Sequence, residues 1–288
     1  MGAGIRVNPT RSYSRGMAKR RRSSALRRAV PGRSEAPSGY DPSAFPPFAV
    51  TADVVVFTLR AGRLHVLLVQ RGAAPFERAW ALPGGFVRPD EDLEAAALRE
   101  LLEETGVATG PRHLEQLGAY GHPDRDPRMR VVTVAWWAVM PEVPEPEAGS
   151  DAAFADLIGI DEILDDQLEL AFDHRRILED ALEALRQRLE DTTLASAFEP
   201  GPFRISDLRR VYEAVWGVRL EPGNFQRKVR KVPGWLEPCA EDAMHTLMDA
   251  APEAAPGRPA QYFRAREDIA PMELRMRRPE EPAPDEDS

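Results

Sequence analysis

A single cysteine, Cys239, stands in 288 residues, so no intrachain disulfide can form and a reducing compartment is the natural setting. Long apolar runs are missing too. The longest, Val131 to Met140, is interrupted by Thr133 and reaches about half the length a membrane-spanning helix needs. The N-terminus has no apolar central region of the kind a secretory signal carries. These absences argue for a soluble, cytoplasmic chain with no membrane partner. Acidic residues are absent before Glu35, while the same stretch holds Arg20-Arg21-Arg22 and Arg27-Arg28 among Ser, Gly and Pro. With so few large apolar side chains, residues 1–45 are expected to form a disordered basic leader. An Arg- and Ser-rich, acid-poor terminus also suits a nucleic-acid-binding arm or a transit peptide. The plainer expectation is an upstream extension, with Met17 as the working start.

What is present is enough apolar content, 43%, for a sizeable core, and a net charge of -9 that conceals segregation. From Phe48 the pattern becomes strand-like. Ala49 to Leu59 is rich in β-branched residues, and Leu64 to Val69 follows a turn at Ala61-Gly62, which predicts a hairpin with Arg71 at the end of its second strand. His113 to Tyr120 and Val131 to Met140 read as two more strands. The second is almost continuously apolar and belongs inside a sheet. Gly121 to Arg128 and Pro141 to Ser150 are charged or proline-punctuated loops. Asp161 to Asp166 and Asp173 to Glu190 read as helices, the latter with Ile177, Leu178, Ala181, Leu182, Leu185 and Leu189 at helical spacing.

The most informative stretch runs from Gly85 to Val107. Gly84 and Gly85 follow Pro83 and make a turn where backbone can approach a ligand closely. Asp90 or Asp92 can cap the helix that follows, and Gly106 stands where a C-terminal cap belongs. At 100° per residue Glu100, Glu103 and Glu104 share one face. Leu98, Leu101 and Leu102 fall on the opposite face and are expected to be buried. Three adjacent carboxylates repel one another, and a hard divalent cation that shares oxygen ligands with substrate phosphates is the usual reason for gathering them.

With its spacing of Gly85, Glu91 and Arg99-Glu100-Leu101-Leu102-Glu103-Glu104-Thr105-Gly106-Val107, the stretch resembles the Nudix box of the Nudix hydrolases at every fixed position. The resemblance implies an α/β/α sandwich over 46–192. It implies Mg²⁺ (or Mn²⁺) on Glu100, Glu103 and Glu104, with the Gly84 carbonyl as a further ligand. Arg99 and Glu91 match an orienting ion pair, and Glu103 is the helix glutamate assigned to take a proton from water. The reaction implied is hydrolysis of a pyrophosphate bond in a nucleoside diphosphate derivative. Toward that ligand, Arg71 and the Gly85 backbone are placed near the box. Arg125 and Arg128 suit a diphosphate or ribose, and Asp124 or Asp126 a hydroxyl or metal. This loop and Leu170-Ala171-Phe172-Asp173-His174, which brings His174 near the ligand, resemble one Nudix subgroup that adds a C-terminal winged helix. That subgroup includes regulators of NAD metabolism that respond to ADP-ribose.

The C-terminal third has its own signature. Asp191 to Gly201 reads as a break. Over 202–238 there are eight Lys/Arg against four Asp/Glu, a local +4 in a chain of -9. Ser206 to Trp216 reads as an amphipathic helix, Gly217 as a turn, and Pro222 to Val232 as a basic helix presenting Asn224, Arg227, Lys228, Arg230 and Lys231. Trp235-Leu236 and Gln261-Tyr262-Phe263 read as a hairpin, with a wing at Gly257-Arg258-Pro259. This is the element order of a winged helix-turn-helix, expected over 200–270, with double-stranded DNA as partner and a homodimer by analogy. Residues 271–288 are expected to be a disordered acidic tail. Regulators of the subgroup often carry an eroded Nudix box, and here it is intact. The leading expectation is therefore an ADP-ribose pyrophosphatase, and the alternative a DNA-binding regulator that senses ADP-ribose or a related metabolite.

Overall fold

The computed structural model describes residues 38–108, 110–144, 152–165, 168–239, 261–265, 269–272 and 276–278. They fall into two units divided between Pro46 and Pro47. In the first, a 3₁₀ turn at Pro42–Ala44 is closed by the Asp41 carboxylate, which accepts from both the backbone and hydroxyl of Ser43. The second, from Pro47, carries everything that follows.

Strands β1 (Ala49–Arg60) and β2 (Arg63–Arg71) form the predicted hairpin around Ala61-Gly62. β3 (Trp80–Ala81) pairs with β2 and β4 (Gly84–Phe86) with β1. Helix α1 spans Leu93–Thr105, and β5 (His113–Tyr120) and β6 (Val131–Val139) follow. The sheet runs β3-β2-β1-β6-β5, with β1 and β6 parallel, so β6 lies inside it as its apolar run requires. Strand β7 (Ala152–Gly159) adds to β2, and α2 (Ile160–Leu164) and α3 (His174–Asp191) complete the sandwich. Successive residues of a strand point to opposite faces, and here both faces are covered. Ala52, Val54 and Val56 pack with Ala96, Ala97 and Leu101 of α1. Val55, Phe57 and Trp137 pack with Ile177, Leu178 and Leu182 of α3.

The structure amends several expectations. β7 falls in chain to which the sequence assigns no element, because its mostly small residues give no clean alternation. Leu102 is exposed rather than buried: the core side of α1 is Ala96, Ala97, Leu101 and Thr105, and Leu102 projects outward beside Glu103. The supposed break after α3 is a buried 3₁₀ segment, Thr193–Phe198. Helix α4 covers Ile205–Trp216, and α5, Pro222–Val229, ends earlier than expected, in a turn closed by the Val232 amide on the Val229 carbonyl. β8 (Leu236–Pro238) and β9 (Phe263–Ala265) pair antiparallel. The wing tip at Gly257-Arg258-Pro259 lies outside the described residues. So do 1–37 of the leader and 279–288 of the tail. The start of that tail is not free: the Met272 and Met276 amides donate to the Asp191 and Glu190 carbonyls, and both side chains are buried. No helix among the described residues is long and apolar enough to cross a membrane.

Candidate functional site

The β4 loop and α1 meet at the mouth of a cleft of about 830 Å³. Asp92 caps α1 by accepting from the Ala95 amide, and Gly106 ends it in the left-handed conformation, φ 69°. That fixes the acidic face over Gly84 and Gly85, which the structure places in strand β4 rather than in the expected turn. A side chain at Gly85 would place its Cβ 2.5 Å from the Glu100 carboxylate, and one at Gly84 would collide with Asp53. Gly84 requires glycine, because a Cβ there would also lie 2.6 Å from the Ala52 carbonyl oxygen, whereas one at Gly85 would displace the Glu100 carboxylate.

Arg99 organises the carboxylates. Its Nε and Nη2 donate to Glu91 at 2.9 and 2.5 Å, and its Nη1 to Glu100 at 2.6 Å and Glu103 at 3.0 Å. The same guanidinium donates to the Phe86 carbonyl at 3.1 Å, which ties the helix to β4. These Arg99 bonds, helped by the Arg88 amide, hold the Glu91 carboxyl at about 2. Glu103, on the exposed rim, also takes a bond from Arg88 Nη2 at 3.2 Å. Glu104 is deeper. Its Oε2 accepts from the Gly84 amide at 2.9 Å, yet burial, with Glu100 and Asp53 nearby, pushes its carboxyl up to about 8.

The opposite wall is basic and aromatic. Arg71 donates to the Pro75 carbonyl at 2.8 Å and lies 4.8 Å over the Phe172 ring. Burial and then the neighbouring Arg128 charge lower its pKa from the usual arginine value. Arg128 is gripped by Asp126 at 3.0 and 2.7 Å and still lines the cleft. Arg125 also lines the cleft, from a more deeply placed position. It is buried, with a side chain 4% exposed, and bonds Asp173 through Nε at 3.0 Å and Nη2 at 2.7 Å. Its guanidinium holds the start of α3 to the sheet. Asp124 is exposed and does not line the cleft. His174 does. Its Nδ1 accepts from the Leu82 amide at 2.9 Å, and burial lowers its pKa, so the neutral ring carries its proton on Nε2.

Three contributors carried no role in the sequence reading. Asp53 sits behind Gly84 with its Oδ2 buried and unbonded, 3.6 Å from Arg125 and 3.8 Å from His174. It is the one charge in an otherwise apolar or hydroxyl-bearing strand run from Ala49 to Leu59, which was the available signal. Arg88 and Phe86 gave none, because nothing in the local spacing sets either apart.

In the C-terminal unit, Asn224, Arg227, Lys228, Arg230 and Lys231 are all exposed. Glu221 caps α5 through the Gly223 and Asn224 amides. Arg230 is already engaged: its Nη2 donates to Gln261 at 2.9 Å, and it lies 5.4 Å over Phe263. It braces α5 against β9.

A sandwich that brings a loop and an acidic helix to one end of its sheet in this way is of the Nudix class. The NUDIX domain profile matches residues 47–181, and the chain belongs to that family. It is 34% identical over 192 residues to the ADPR responsive transcriptional repressor NtrR of Acinetobacter baylyi, covering 66% of this chain and 75% of that protein. It is 39% identical over 116 residues to an ADP-ribose pyrophosphatase of Methanocaldococcus jannaschii, covering 40% of this chain and 64% of the relative. Among solved structures, Shewanella oneidensis NrtR complexed with a 27mer DNA is 30% identical, with a TM-score of 0.63, over 79% of this chain and 99% of that one.

Proposed function

We propose that the protein is a Nudix pyrophosphohydrolase acting on a nucleoside diphosphate joined to a further group, with ADP-ribose the first substrate to test. The observation that carries this reading is the complete acidic face, Glu100, Glu103 and Glu104, set against Gly84-Gly85 at the cleft. The likeness to the pyrophosphatase of M. jannaschii over 116 residues supports it.

The donor set fits Mg²⁺ or Mn²⁺. It is all oxygen, and Glu104, raised first by burial, also has the Glu100 and Asp53 charges beside it, which a divalent cation would offset. Among the described residues no three such donors yet converge on one point, since Glu100 and Glu103 are drawn to Arg99. Glu100, Glu104 and the Gly84 carbonyl are the innermost candidates. Glu103, on the rim, is assigned to ligation from the outer side and to accepting the proton of the attacking water. When bound, the cation offsets charge on the diphosphate and makes a coordinated water more acidic. Arg71 and Arg128 hold the phosphates, and neutral His174 offers an N–H from the floor.

Incubation with ADP-ribose and Mg²⁺ should yield AMP and ribose 5-phosphate. Glu103→Gln and Glu104→Gln should each lower turnover by orders of magnitude in folded protein. Turnover that survives excess EDTA, or both substitutions, would overturn the metal mechanism.

A second reading is a DNA-binding regulator whose cleft takes ADP-ribose. The observation favouring it is that the likeness to the DNA-bound NrtR covers 79% of this chain, more than the sandwich alone accounts for. Paired winged helices read two half-sites, so this reading carries a homodimer, measurable by sedimentation. Tight ADP-ribose binding without turnover, together with retardation of a specific duplex, would favour it over the enzyme.

A further inference from the structure

Two of the three lysines in the chain, Lys228 and Lys231, stand on or just beyond α5 beside Arg227 and Arg230, all four exposed. The other side of the helix is buried through Phe225 and Val229, and the Phe225 ring meets that of Tyr212 in α4 edge-on at 5.3 Å. Little inside the fold balances the basic side. Glu221 is spent on the Gly223 and Asn224 amides, and Arg230 is turned to Gln261 and Phe263. Among the described residues no carboxylate pairs with Arg227, Lys228 or Lys231.

Beyond Arg278 the sequence turns acidic. Glu280, Glu281, Asp285, Glu286 and Asp287 bring five negative charges and no positive one within ten residues, 279–288. Their point of departure is fixed. The Met276 amide donates to the Glu190 carbonyl at 2.9 Å, and the Arg278 amide to the Glu190 carboxylate at 3.1 Å. The adjacent Leu189 carbonyl accepts from the Tyr212 hydroxyl, so one tyrosine side chain links this anchor to the inner face of α5. Two interhelical spacings amount to about 20 Å. Ten residues reach at most about 33 Å, enough to pass round α5 to its basic side. A tether of that length holds the acids at an effective concentration of order millimolar. We propose that residues 280–287 dock within the molecule on the Arg227, Lys228 and Lys231 face of α5 and compete there with nucleic-acid phosphates. The docking is independent of what the cleft binds. The competition rests on α5 attracting DNA, and the two are measured separately.

Carbodiimide coupling without a spacer joins a lysine amine only to a carboxylate in contact with it. Peptide mapping of the full chain at low salt should find Lys228 and Lys231 joined to the tail acids, at a yield independent of protein concentration. The products should fade near 1 M salt, where the Debye length is about 3 Å. Tail acids joined to Lys19 alone, or not joined to any lysine, overturn the docking, and a yield that rises with concentration assigns the contact to a second copy and overturns it too. For the competition, the variant is Glu280→Gln, Glu281→Gln, Asp285→Asn, Glu286→Gln and Asp287→Asn, and the probe a random-sequence DNA duplex. A face left free about one-tenth of the time binds about tenfold more weakly, so the variant should bind the duplex on the order of tenfold more tightly than the parent. On a Lys228→Gln, Lys231→Gln background that gain should fall to within about twofold. A gain that persists there reports overall charge and overturns the competition, as does unchanged affinity in the tail variant. If neither parent nor variant binds the duplex, the competition falls together with the DNA reading, and the coupling result alone decides the docking.

Discussion

At Arg99 one guanidinium serves three carboxylates and a backbone carbonyl, and the pairing with Glu91 is the one with a pH signature. Glu91 titrates at about 2 in the folded chain against an ordinary 4.5. A depressed carboxyl stabilises the fold above its unfolded pKa and loses that contribution as pH falls through the folded value. Glu91→Gln should therefore lower Tm at pH 7, and its deficit relative to the parent should shrink as pH falls from about 4.5 toward 2. A deficit that is constant over that window would mean Glu91 acts by shape alone. Arg125 makes the opposite kind of prediction. It lines the cleft and is also a buried cation between Asp173 and Asp53. Removing one partner of a buried pair leaves uncompensated charge, at about 3–5 kcal/mol. Arg125→Ala should show that loss in chemical denaturation, with no ligand present. Arg71→Ala, whose guanidinium bonds only backbone carbonyls, should cost much less stability and appear in ligand affinity instead.

The helix α1 divides its leucines more sharply than a helical wheel does. Leu101 is 2% exposed, packed with Ala52 and Val54, whereas Leu102 is 47% exposed. Leu101→Ala should cost about 2–5 kcal/mol by cavity formation, and Leu102→Ala less than about 0.5 kcal/mol. Equal costs in thermal unfolding would show that the buried face has been assigned wrongly. The case also shows what was legible in the sequence. The strands rich in β-branched residues, the Asp92 and Gly106 caps and the Glu100-Glu103-Glu104 face depend on local spacing, and spacing is visible in a chain. β7, with its Ala, Asp and Gly, takes its place from pairing with β2, which no local pattern announces. Likewise the partners of Arg125 and Arg128 were hidden. Asp173 lies 48 residues from Arg125, while Asp126 lies only two from Arg128, and sequence does not say which cation stays free for a ligand.

Across the whole molecule, one apolar cluster runs from the sheet through α3 and the 3₁₀ segment into α4 and α5, with Met272 and Met276 closing it. The two expected domains thus share a core. Helix α3, 18 residues and about 27 Å long, starts at the cleft with His174 and reaches α4, where Tyr212 donates to the Leu189 carbonyl at 3.0 Å and Trp216 to that of Arg186 at 3.4 Å. Any DNA surface on α5 is therefore attached to the cleft through packed helices. The regulator reading makes its sharpest prediction there. Arg227 and Lys228 project from α5 with no ion pair found among the described residues, whereas Arg230 braces β9. Each phosphate contact released contributes about 0.9 to the slope of log K against log salt. Arg227→Ala with Lys228→Ala should reduce that slope by roughly 1.8 on a specific duplex, leaving ADP-ribose affinity and any turnover unchanged. Arg230→Ala should weaken DNA binding with less change in slope, because it loosens the hairpin rather than deleting a phosphate contact. ADP-ribose should shift duplex affinity by the same factor that the duplex shifts ADP-ribose affinity, since linkage between two sites is reciprocal. Mobility shift and calorimetry measure the two sides independently. If the Arg227 and Lys228 double variant keeps the parent's salt slope, α5 is not the DNA surface, whatever the cleft binds.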